Sequence, residues 1–165
     1  MLMASAREIL GDLGECRFEG RAIERLLVDS ADASKRRLRR RTDAGTEVAV
    51  DLERGSYLRE GAVLWDDGVR VVVVERKPEE AMVVRLSQGL SPDERLAQAA
   101  LLGHAFGNQH VPIEVEGGEI RVPITTSREI AAATVRGLGL EDVEVSFAFV
   151  RLGRDGPLLA PAHRH

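Results

Sequence analysis

Ala81-Met82-Val83-Val84-Arg85-Leu86-Ser87, Ser91-Pro92-Asp93-Glu94 and Pro112-Ile113-Glu114-Val115-Glu116-Gly117-Gly118-Glu119-Ile120-Arg121-Val122-Pro123-Ile124 follow one another in the second half of the chain. The first is a short β-rich run and reads as a strand. The second starts a helix: Ser91 is placed to cap, Pro92 suits the first helical position and Glu94 completes a capping box. That helix is expected to reach about Phe106, with Gly107 and Asn108 as its stop. The third reads as a hairpin around Gly117-Gly118. A second capping-box pattern, Thr126 to Glu129, opens another helix ending near Gly137, and Asp142 to Val150 is a last strand. Strand, helix, strand, strand, helix, strand is the split βαβ, ferredoxin-like order.

Upstream the rhythm differs. Arg21 to Asp29, Lys35 to Thr42, Thr46 to Leu52, Ala62 to Trp65 and Val69 to Glu75 are short runs separated by Gly-containing turns, which predicts a small antiparallel β domain. Val71 to Val74 is continuous β-branched sequence, as in a strand buried on both faces. Lys77-Pro78-Glu79-Glu80 reads as a boundary, because proline there cannot extend a ladder. The expected fold class is therefore α+β: an N-terminal β domain over 1–77, a ferredoxin-like βαββαβ domain over 78–152, and a mobile tail over 153–165.

Composition narrows the function. The chain has 165 residues, 44% hydrophobic and 30% charged, with net charge −4. It can bury a real core, and its acidity argues against bulk binding of nucleic acid or anionic membrane. No apolar run approaches the length of a bilayer span and no signal peptide is read, so the expected compartment is the cytoplasm. One cysteine, Cys16, builds neither a disulfide framework nor a zinc knuckle. No Gly-rich phosphate loop and no local catalytic signature occur, so an enzyme is not expected. The basic cluster Lys35 to Arg41 reads as a solvated strand or a surface for an acidic protein, with nucleic acid as the lesser reading.

There are four histidines: His104, His110, His163 and His165. Imidazole is the usual nitrogen ligand for Ni, Zn and Cu. His110 follows a helix stop and precedes Val111-Pro112, a loop that holds a side chain exposed and in place. The helix C-terminus beside it carries partial negative charge that favours a cation. His104 lies on the helix, with Leu101 and Ala97 on the same side, and reads as interfacial or partly solvated rather than as a ligand. His163 and His165 are two imidazoles able to reach a metal held elsewhere, or an uninformative terminus.

Two segments carry a resemblance. One is Ser34-Lys35-Arg36-Arg37-Leu38-Arg39-Arg40-Arg41-Thr42-Asp43-Ala44-Gly45-Thr46-Glu47-Val48, with Asp51-Leu52-Glu53-Arg54-Gly55 and Leu58-Arg59-Glu60-Gly61 after it. The other is Gly107-Asn108-Gln109-His110-Val111-Pro112-Ile113. In both, and over about Arg21 to Val150, the sequence resembles the UreE family of urease accessory proteins, the nickel metallochaperones. The resemblance implies a partner-binding N-terminal β domain and a C-terminal metal-binding and dimerisation domain. It implies a homodimer in which His110 from both subunits holds one Ni²⁺ on the dyad, with His163 and His165 as the natural additional ligands. Zn²⁺ or Cu²⁺ is expected to substitute in vitro. The implied partners are a UreG-type GTPase and the urease apoprotein complex. The sequence departs from the family pattern at Gln109, where many members have Arg, and in Arg121-Val122-Pro123-Ile124-Thr125-Thr126, which lacks a second His motif. The rival readings are a protein-interaction chaperone with incidental metal binding, and a nucleic-acid-binding module.

Overall fold

The computed structural model describes residues 3–160. By compactness the chain divides into two units: Met1–Lys77 with Gly153–Pro157, and Pro78–Leu152 with Leu158–His165.

The first unit holds two sheets. One has the order β1 (Met3–Ala6), β5 (Glu47–Asp51), β4 (Arg37–Arg41). The other has the order β2 (Gly11–Asp12), β6 (Ala62–Asp66), β7 (Arg70–Arg76), β3 (Ala22–Val28). A four-residue helix, α1 (Ser30–Ala33), links β3 to β4, and Asp29 caps it by accepting from the Asp32 amide. The pairings are not all antiparallel: β1 runs parallel to β5 and β3 parallel to β7. Both partners in these pairs are joined by long stretches of intervening chain, so no tight turn dictates their direction.

Alternation along the strands explains the packing. Ala4, Ala6, Leu38, Val48 and Val50 of the first sheet share one core cluster with Leu26, Val28, Val72 and Val74 of the second. Val71 and Val73 point the other way, into a smaller cluster with Phe18 and Val63. The apolar run Val71 to Val74 is thus buried on both faces, at 0 to 4% exposure.

The second unit is one antiparallel sheet, ordered β11 (Val143–Val150), β8 (Glu79–Leu86), β10 (Glu119–Pro123), β9 (Glu114–Glu116), with helices α2 (Pro92–Asn108) and α3 (Arg128–Gly137). The central strand β8 pairs with β11 over eight residues and with β10 over five. Gly117 and Gly118 take positive φ, +59° and +79°, which a two-residue hairpin turn requires and which other residues resist. The core gathers Met82, Val84, Ile120 and Val122 from the sheet, Leu102 and Phe106 from α2, and Val135 from α3.

Both helices begin with caps. Ser91 accepts from the Glu94 amide while the Glu94 carboxylate accepts from the Ser91 amide, a complete capping box. For α3 the cap is Ser127, accepting from the Ile130 amide, one residue later than the Thr126–Glu129 pattern suggested. Leu96 is 70% exposed and Leu101 49%, so the inward side of α2 is the stripe of Ala99, Leu102 and Phe106.

Candidate metal centre

α2 does not stop at Gly107 and Asn108. It continues through both, and the left-handed residue that ends it is His110, at φ +56°. The His110 amide donates to the Gly107 carbonyl at 3.0 Å and the Val111 amide to the Phe106 carbonyl at 3.0 Å. Those two bonds are the Schellman pattern, with Gln109 as cap and His110 in the place that glycine usually fills. Phe106, 1% exposed, and Val111 join the same core cluster and anchor the two ends of the turn. The imidazole itself is exposed. A histidine at positive φ is strained by about 1–2 kcal/mol relative to an ordinary backbone, and such strain concentrates where a side chain must face a particular way.

Gln109, where the sequence departs from the UreE pattern, donates through Nε2 to Thr134 Oγ1 of α3 at 3.2 Å. This contact ties the end of α2 to the neighbouring helix. Residues 153–160 of the segment read as a tail are described. Within the first unit, Tyr57 donates its hydroxyl to the Gly153 carbonyl at 2.6 Å and the Glu60 amide donates to the Arg154 carbonyl at 2.9 Å. Within the second, Leu159 exchanges two backbone bonds with Ile113, at 2.7 and 2.9 Å. That bridge lays the chain beside the His110 loop.

The result is a groove of about 690 Å³ whose lining includes His104, Asn108, His110, Ile113, Leu159 and Ala160. Asn108 Nδ2 lies 3.0 Å from His104 Nε2, one helical turn apart. No basic residue occupies the last turn of α2, so the partial negative charge of the helix end is unopposed there. His163 and His165 lie outside the described residues. Among the described residues of one chain, no group of three or more His, Cys, Asp or Glu is close enough to hold a metal ion. His110 and His104 are thus the only imidazoles brought to this groove by described residues, and a closed shell needs donors from elsewhere.

The basic strand is compensated in part, since Asp51 is shared by Arg36 and Arg37 and Asp32 by Lys35 and Arg40. Arg37 pairs with Asp51 at 3.1 Å, Arg39 with Glu47 at 2.8 Å and Arg40 with Asp32 at 2.5 Å. The Asp51 carboxyl is held below its ordinary pKa, first by its hydrogen bond from Arg37. Arg121, in the segment without a second His motif, sits instead among Glu114, Glu116 and Glu119.

The profile of the "UreE urease accessory protein, N-terminal domain" matches residues 6–77. The chain is 34% identical over 142 residues to the urease accessory protein UreE of Yersinia aldovae, covering 84% of this chain and 61% of that protein. It is 31% identical over 150 residues to UreE of Yersinia frederiksenii, covering 88% and 62% respectively. The resemblance to the UreE family is thereby shown. An alignment of 142 residues is longer than the first 77 can supply, so the likeness to UreE continues into the second unit. The chain spans about 60% of the length of these UreE relatives. UreE is an accessory chaperone family and not an enzyme family. Among the described residues, no helix is long and apolar enough to cross a membrane.

Proposed function

We propose that this chain is a cytoplasmic nickel metallochaperone of urease maturation, in which His110 is the metal-binding residue and Ni²⁺ is cargo. The observation that carries the reading is His110 itself: an exposed imidazole kept in a strained left-handed turn at the negative end of α2. One such imidazole is too few for a metal, but a two-fold axis doubles it. The reading therefore includes a homodimer through the second unit, taken as a ferredoxin-like domain on its split βαβ order, with one Ni²⁺ shared by two copies of His110. The exposed Leu101 on α2 is compatible with a subunit contact there. His163 follows Ala160, the last described residue of the groove, by three positions, which favours the tail histidines as additional ligands. An incomplete shell suits a carrier, which must release as well as bind. Delivery goes to the urease apoprotein with a UreG-type GTPase, the nucleotide requirement belonging to that partner. The first unit is the partner-binding domain.

Calorimetric titration of Ni²⁺ into the wild type and His110→Ala, with mass by light scattering, tests this reading. About one Ni²⁺ per dimer, lost on substitution, is expected from the two-fold argument. Zn²⁺ and Cu²⁺ are expected to bind the same nitrogens in vitro, since the Irving–Williams order favours Cu²⁺ at most imidazole sites. Binding that survives in His110→Ala favours the second reading, a protein-interaction chaperone with incidental metal. The net charge of −4 and the ion pairs that Arg37, Arg39 and Arg40 make with carboxylates weigh against the nucleic-acid reading.

A further inference from the structure

We infer that His104 is a second, exchangeable metal-accepting imidazole on the groove, a waypoint for cargo, and that Asn108 caps it. The inference rests on the carrier reading of His110. Three observations carry it. His104 and His110 line the same groove and both are exposed. Gly103 and Gly107, four residues apart on α2, line that groove without side chains, so the helix surface beside the two imidazoles is bare. Third, the Nε2 of His104 is engaged at 3.0 Å by the side-chain amide of Asn108.

The chemistry of that contact sets the affinity. When the Asn108 amide donates an N–H to Nε2, the ring proton sits on Nδ1 and the Nε2 lone pair is occupied. A metal ion accepts that same lone pair and must displace the amide. A net protein hydrogen bond corresponds to a factor of about two to ten in an equilibrium constant, so the cap weakens His104 as a ligand by that factor without abolishing it. A second, attenuated nitrogen on the groove that His110 lines gives the cargo a further place to stop during loading and release. It also gives the Asn of Gly107-Asn108-Gln109-His110 a chemical task at the groove.

Ring-nitrogen NMR during titration with Zn²⁺, a diamagnetic probe for these nitrogens, reads both sites in the full-length protein. His104→Gln assigns the His104 signals. The expected result is that His110 responds first and that His104 Nε2 then passes from hydrogen-bonded acceptor to metal ligand. In Asn108→Ala the His104 response moves to lower Zn²⁺ by about two- to tenfold, since the cap is gone. Asn108→Ser, which keeps a small polar side chain at the helix end, moves it in the same direction. A merely structural Asn108 would leave that midpoint in place or raise it. If His110 responds while His104 stays silent in all three proteins, the waypoint is overturned and the carrier reading stands. If neither ring responds, the carrier reading itself fails.

Discussion

Replacing His110 by glycine separates stability from function at one position. The left-handed backbone at φ +56° costs a residue with a Cβ about 1–2 kcal/mol, which glycine does not bear. Glycine in turn loses about 0.5–1 kcal/mol more backbone entropy on folding. The net gain for His110→Gly is therefore about 0–1.5 kcal/mol. In a unit of 83 residues each 1 kcal/mol of gain raises the melting temperature by about 4–8 °C. Thermal unfolding is measured in a chelator at fixed protein concentration, then with Ni²⁺ in excess. At a ligand concentration 100 times Kd the wild type gains about 2.7 kcal/mol and overtakes the variant, which gains nothing. The order of the two melting curves thus reverses when the metal is added. A variant that melts below the wild type in chelator would show that the imidazole supports the turn more than the backbone strains it. An equal nickel shift in both proteins would remove His110 from the site.

Phe106→Ala empties a side chain that is 1% exposed at the foot of the His110 turn, and is expected to cost about 3–5 kcal/mol by chemical denaturation. Ser91→Ala removes the cap of α2 and is expected to cost about 1 kcal/mol by the same assay. Tyr57→Phe removes the hydroxyl donated to Gly153, at about 1 kcal/mol, and amide exchange at Glu60, which donates to Arg154, is expected to quicken. Glu24 is buried and its carboxyl is held below the ordinary value, first by a hydrogen bond from Thr46, with Thr42 and Arg70 adding to it. A depressed folded pKa stabilises above the unfolded value of about 4.3, and that stability is lost as pH falls through the folded pKa. Denaturation followed from pH 6 to pH 3 is therefore expected to show a steeper loss in the wild type than in Glu24→Gln.

What the sequence discloses and what it hides follow from the range of the interactions. The capping box at Ser91, the Gly117-Gly118 hairpin and the doubly buried Val71 to Val74 are written in neighbouring residues, and each takes the expected form. β1 and β2 give no such signal: Met3–Ala6 and Gly11–Asp12 are too short for periodicity, and they become strands by pairing with β5 and β6, some 40 to 50 residues away. The same distance hides the parallel direction of β1 and β3. At the site, the sequence marks His110 as an exposed loop residue, but the left-handed turn is hidden. Gly107 and Asn108 are the usual left-handed residues, and Phe106 with Val111 carries the turn past both. The His104–Asn108 contact follows an i, i+4 spacing that was readable in principle. What the spacing alone does not carry is which side-chain rotamers bring the two groups to 3.0 Å.

Gly153–Pro157 belongs to the first unit although 75 residues of the second come before it. A nascent chain therefore makes the first unit in two instalments. At about 5–20 residues per second, its closing segment arrives some 4 to 16 s after Lys77. During that interval Tyr57 and the Glu60 amide await their acceptors, while the whole sheet of the second unit has time to form. Expressing residues 1–77 alone would prolong that unfinished condition indefinitely, whereas fusing Gly153–Pro157 behind Lys77 on a flexible linker is the shorter route to a complete first unit.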